Sequence, residues 1–173
     1  MLIRREQADD VGTVREVVGL AFARPESGDQ PPLEVGLLDE LRGDEGWLPA
    51  LSFVAVEPAD NRVIGHVVCT RGTVDGSPAL GLGPLAVRPD RQGQGVGRAL
   101  MHAVLGAADA LGEPFVALLG EPGYYQRFGF RAAARYGIAA PDPHWGDYFQ
   151  VRTLSAYRPS TGTFAYAEPF TRL

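Results

Sequence analysis

Residues 88–98 read RPDRQGQGVGR, and ALMHAVLGAADAL continues from them to residue 111. Gly93, Gly95 and Gly97 stand at alternate positions directly before a stretch with helical spacing of its apolar residues. Glycine weakens a helix, so three of them at its start need a reason. One reading is a tight turn with spare glycines. The other is a place where bare backbone must approach a ligand. The first turn of a helix leaves N–H groups unpaired and carries about half a positive charge. A glycine loop there lets several amides converge on one phosphate group.

The surrounding elements follow outward from this stretch. Upstream, ALGLGPLAV (residues 79–87) reads as a strand, and Pro84 predicts a bulge or an unpaired position in it. Before it, LSFVAVEP and VIGHVVCTRGTV form a predicted hairpin with Asp60 and Asn61 in the turn. LIRR opens the chain as a short strand. Two helices follow it, from Asp9 to Phe22 with Asp9 or Asp10 as N-cap, and LEVGLLDELRG ending at Gly43. Downstream, the long helix runs to about Leu111 with Val96, Leu100, Ala103, Val104 and Ala107 predicted inward. PFVALLG is a short buried strand, PGYYQRFG a short helix or turn, and YFQVRTL and TFAYAEPF later strands. The pattern predicts one α/β domain over residues 1–173, on a mixed sheet of about six or seven strands with one crossover through the long helix.

Composition removes several function classes. The net charge is −5, against the excess of basic residues that phosphate-backbone binding needs. All 16 Lys+Arg residues are arginine. Without lysine there is neither a P-loop nor a Schiff base. No apolar run has membrane-spanning length, and the opening MLIRREQADD lacks a signal-peptide pattern, so a cytoplasmic protein is expected. The single cysteine, Cys69, agrees with a reducing compartment and reads as a buried, inert thiol.

Other candidates carry less. GLGPLA (Gly81, Gly83, Ala86) fits a dinucleotide fingerprint by letter, but no helix can begin at its Pro-interrupted centre. Asp142, His144 and Asp147 share one loop without the supporting ligands of a metal site, so no metal is expected. That loop, with Trp145, is expected to overhang a binding site. His66 and His102 are isolated and read as structural.

QGQGVG (Gln92, Gly95, Gly97) resembles the Q/R-x-x-G-x-G/A motif of the GNAT N-acetyltransferases. YYQRFGF resembles that family's Y-x-x-x-G-F segment, one strand after the long helix. LGEPGYYQRFGF with the closing GTFAYAEPF is similar to the YhbS-like subgroup. The resemblance implies the GNAT fold, with a sheet splayed between its fourth and fifth strands. It also implies acetyl-CoA as co-substrate and direct attack by a primary amine. The implied pyrophosphate cradle is Gln92, Gly93, Gln94, Gly95, Val96, Gly97 and Arg98. Leu85, Ala86 and Val87 match the segment beside the pantetheine, with Leu85 or a neighbour as the backbone oxyanion donor. Tyr125 matches the leaving-group acid, with Tyr124 as its rival. The glutamate that many relatives carry before the glycine motif is missing; Glu121, Glu26, Asp147 or water chains remain for the base. The acceptor is a small-molecule or peptide amine. The acidic stretch from Glu26 to Glu45 either steers a cationic one or is a solvated helix face. The alternatives are a non-catalytic acyl-CoA-binding module and a transferase of a longer acyl group. No nucleic acid or membrane partner is expected, and the protein is a monomer or homodimer.

Overall fold

The computed structural model describes residues 1–173. Its elements are β1 (Leu2–Arg5), α1 (Val11–Phe22), α2 (Leu33–Gly43), β2 (Ser52–Glu57), β3 (Arg62–Val74), β4 (Ser77–Val87) and α3 (Val96–Ala110). These are followed by β5 (Phe115–Leu119), α4 (Pro122–Tyr125), β6 (Arg131–Ala132), β7 (Ile138–Ala139), β8 (Phe149–Thr153) and β9 (Gly162–Ala165). The sheet runs β1-β2-β3-β4-β5-β8-β6, with β9 paired to the end of β3 and β7 to β9. The main path thus has the expected size, and the two short late strands extend it. The neighbouring strands along that path are antiparallel except β4 and β5, which the α3 crossover makes parallel.

The predicted β2–β3 hairpin forms, and a second hairpin joins β3 to β4. Asn61 has φ 57°, and Asp75 and Gly76 have φ 46° and 82°. In the two-residue turn at Asp75–Gly76, positive φ at both central residues matches the right-handed twist of the flanking strands. β3 reads as a nearly unbroken apolar run because both faces are covered. Ile64, Val67 and Cys69 pack with α3, while Val63 and Val68 pack with α1 and α2. Burial pushes the Cys69 thiol well above its ordinary pKa, which leaves it protonated and inert.

One local expectation is sharpened and one corrected. Asp10 is the N-cap residue of α1, as expected, but its side chain makes no capping bond there. Its carboxylate instead accepts from the Gln7 amide at 2.7 Å and from both Arg4 guanidinium nitrogens. The buried stripe of α3 is Val96, Leu100, Met101, Val104, Leu105 and Ala108. Ala103 and Ala107 lie at its edge, because the larger Met101 and Leu105 fill the groove against the sheet.

Beside α2, the Glu6 carboxylate ties β1 to its neighbours. It accepts from Arg42, from the Ser52 hydroxyl, and from His66 Nε2 at 3.3 Å. His66 is fully buried and its Nε2 also lies 2.9 Å from Ser52 Oγ, while Nδ1 has no partner. Burial pulls the His66 pKa down against the pull of Glu6, so the imidazole stays neutral. Burial opposes ionisation of Glu6, but His66, Arg42 and Ser52 outweigh it and bring its carboxyl down to about 2. This network is structural, as the isolated His66 predicts.

Candidate active site

A bulge in β4 organises the site. Cys69 pairs with Leu82 and Val67 with Leu85, so β4 spends three residue steps where β3 spends two. The extra step falls at Gly83 (φ 146°) and Pro84, whose peptide bond is cis. Proline has no N–H for the ladder, and the bulge absorbs it. The slip also changes which side chains share a face: Leu82, Leu85 and Val87 all turn towards α3, whereas Ala86 joins the α1 side.

The same region opens the sheet. β4 and β5 pair only at Leu80–Val116 and Gly81–Ala117, although both strands continue. Gly81 is the last β4 residue in that pairing, and the Tyr166 ring covers its face, 2.6 Å from where a Cβ would be. Beyond it the strands diverge. The Arg88 amide donates to Ile64 at 2.9 Å, which by antiparallel alternation turns the Ala86 backbone to β3. The N–H and C=O groups of Leu85 and Val87 therefore face the gap. The Val87 carbonyl accepts from Gln92 Nε2 at 3.1 Å, and this bond fixes the glycine loop against the strand.

That loop forms the rim of one cavity, of about 620 Å³. Gly93 and Gly95 have φ 74° and 85°, and Gly95 is the left-handed residue before α3. Gln94 Nε2 bonds the Asp90 carbonyl at 3.4 Å and closes the turn. The amides at the start of α3 have no partner within the helix. Gly97 is needed for a different reason: the Tyr124 hydroxyl lies 2.9 Å from where its Cβ would stand. Arg98 folds back over Gly95, and Arg91 and Arg127 complete the rim. Arg127 is held by the Tyr124 carbonyl at 2.9 Å and stacks 4.7 Å above the Tyr124 ring. The rim contains no acidic side chain. All seven residues of the predicted cradle line this one cavity.

The second cavity, of about 860 Å³, lies at the diverging strands. Leu82–Leu85 and Leu118–Leu119 line its floor, and Tyr125 enters from α4. Tyr125 packs flat against Gly120, which has no Cβ to displace it, and edge-on to Phe130 at 5.9 Å. The loop end is fixed by Gln150, whose side chain donates to the Gly120 carbonyl at 2.9 Å. Burial pushes the Tyr125 phenol up to about 12. Adjacent tyrosines thus reach different cavities: Tyr125 shares one with Leu85, and Tyr124 points into the other.

The far wall is aromatic. Trp145, Phe164, Tyr166 and Phe170 contribute to it, with Phe22 from the end of α1. Tyr166 stacks 4.6 Å from Phe170 and stands edge-on to Phe164 at 4.8 Å. The late loop does overhang the cavity through Asp142 and Trp145. The three carboxylates named for the base, Glu26, Glu121 and Asp147, do not line it; Glu34 and Asp142 do. Half of the other acidic residues in the stretch are engaged elsewhere: Asp39 with Arg15, Glu40 with Arg172, and Asp44 with the Gly46 amide. Sequence reasoning missed Phe22, Phe164, Tyr166 and Phe170. The alternating aromatics of TFAYAEPF were the available signal, read there only as a strand.

The family model described as an acetyltransferase (GNAT) domain matches residues 49–132, which span β2 to β6. The chain is 33% identical over 176 residues to the uncharacterized N-acetyltransferase YhbS of Escherichia coli K12, with 99% of each covered. This chain belongs to the GNAT acetyltransferase family. Within that family, the crystal structure of Escherichia coli YhbS in complex with CoA superposes with a TM-score of 0.88 at 31% identity, covering 99% of this chain and 92% of that one. A GNAT acetyltransferase of Brucella melitensis, in complex with acetyl-CoA, gives 0.78 at 32% identity, covering 98% and 97%. The diverging β4 and β5 and the glycine loop before α3 are therefore features of a GNAT enzyme fold.

Proposed function

We propose that residues 1–173 form one N-acetyltransferase domain that moves the acetyl group of acetyl-CoA to a primary amine. The observation that supports this best is the junction of the two cavities: one strand, β4, presents the Leu85 and Val87 backbone to the gap and leads into the glycine loop of α3. The pyrophosphate fits the residues around that loop. Amides from Gly93 to Arg98 supply donors, positive φ at Gly93 and Gly95 turns them inward, and Arg98 and Arg127 supply charge. The pantetheine amides pair with Leu85 and Val87 like an added strand, and Ala86 supports them from beneath.

The amine nitrogen attacks the thioester carbonyl directly. A C–N bond forms as the carbonyl electrons move to oxygen, where the Leu85 N–H donates; such a donor typically contributes ~3–4 kcal/mol. Collapse breaks the C–S bond, and the thiolate takes the Tyr125 proton. Burial keeps that proton on the phenol until it is needed. The acceptor loses its own proton to water or to a cavity carboxylate, and solvent returns a proton to the Tyr125 phenolate.

The test is CoA release measured together with mass-spectrometric detection of the acetylated amine, over a broad amine panel. Stoichiometric formation of both is expected. Acetyl-CoA binding without any acetylated product would leave a binding module of the same fold.

A further inference from the structure

The acceptor side of the large cavity has an uneven chemistry. Its wall is formed by Phe22, Trp145, Phe164, Tyr166 and Phe170, brought together from both ends of the chain. No arginine or histidine lines it, although the chain has 16 arginines and the neighbouring cavity is rimmed by three of them. Its only charged side chains are Glu34 from α2 and Asp142 from the late loop. Asp142 is kept ionised by the backbone amide and ring of His144, at 2.8 and 3.0 Å.

These features discriminate among amines. A carboxylate on the acceptor would enter beside two carboxylates with no cation to meet it, and an unpaired charge in such a place is costly. A flexible polyamine would lay only a thin methylene chain along the wall and leave most of the ring area uncovered. A flat apolar body fills that wall and gains both area and ring contacts. An ammonium with no nearby anion of its own suits the two carboxylates that line the cavity.

Resting on the acetyltransfer reading above, we infer that the acceptor is a primary amine carried on an aromatic body without a carboxylate, seated against the packed Trp145 and Tyr166 rings with its nitrogen towards Leu85 and Tyr125.

The experiment compares kcat/KM for 2-phenylethylamine, phenylalanine, spermidine and a glycine-first tetrapeptide at saturating acetyl-CoA. 2-Phenylethylamine is expected to lead each of the others by at least about tenfold, the discrimination a filled apolar pocket provides. Trp145→Ala is expected to raise its KM about tenfold while the KM for acetyl-CoA holds, with Trp145→Phe recovering most of the loss. An unchanged acetyl-CoA KM also shows that the variant is folded. In a complementary change, Glu34→Arg is expected to narrow the gap between phenylalanine and 2-phenylethylamine by supplying the missing cation. Equal or better use of phenylalanine, spermidine or the peptide by the unaltered protein overturns the inference and leaves acetyl transfer standing. CoA binding with no acetylated amine at all overturns both.

Discussion

The two cavities meet at β4 but are built on different principles. The glycine cavity comes from one continuous stretch plus α4: a strand end, a loop with two positive-φ glycines, and the first turn of α3. Much of its lining is backbone, which depends on conformation more than on side-chain identity. The aromatic cavity gathers side chains from α1, α2, β4, β5, the late loop and the segment after β9. Its shape depends on how remote segments dock. The first is suited to a constant ligand part, and the second to a part that differs between enzymes.

The largest expected effect falls where both cavities feed one reaction. Tyr125→Phe should lower kcat about 10²–10⁴-fold, the range for a positioned general acid, with little change in the KM for acetyl-CoA. Because burial holds the phenol proton up to about 12, kcat should rise as the amine deprotonates and then stay level through pH 10. A Tyr124→Phe variant should keep kcat, since that hydroxyl lies at Gly97 in the other cavity. Equal losses in the two variants would erase the division between them.

Gly95→Val is next, and it addresses the glycine cavity alone. A β-branched residue at φ 85° is strained and turns the loop amides away from a shared target. Losing two charge-assisted hydrogen bonds, at roughly 1.5 kcal/mol each, corresponds to about a 100-fold weaker CoA affinity by calorimetry. The folded protein should still bind an aromatic amine at the other cavity.

Glu6→Gln should have the smallest effect on turnover, and it probes the framework of the aromatic side. Arg42, which Glu6 anchors, belongs to α2, the helix that carries Glu34 and Leu37 to the cavity. The Glu6 carboxyl is depressed to about 2, so its contribution is present above the ordinary carboxylate range and is lost as pH falls from about 5 towards 2. The variant should cost on the order of 3 kcal/mol at neutral pH and show a flatter acid-unfolding curve. Thermal melts from pH 3 to 7 measure both.

The amino-acid pattern determined the local parts: the hairpin turns at Asn61 and at Asp75–Gly76, the interruption at Pro84, the glycine loop before α3, and the amphipathic α3. Each depends on neighbours within a few residues, so spacing and residue type suffice. Likeness of two segments to family motifs added Tyr125 but left Tyr124 beside it as a rival. Tertiary structure gave the two rings different cavities, because Tyr125 packs against Gly120 and Phe130 while Tyr124 reaches the glycine loop. It also split Leu85 and Val87 from Ala86, since the bulge sets which backbone groups face β3. The aromatic wall and the carboxylates Glu34 and Asp142 were decided by the fold alone. Phe22 and Glu34 lie more than a hundred positions from the others in the chain, and only the docking of β9 and α2 around the gap brings them to one surface.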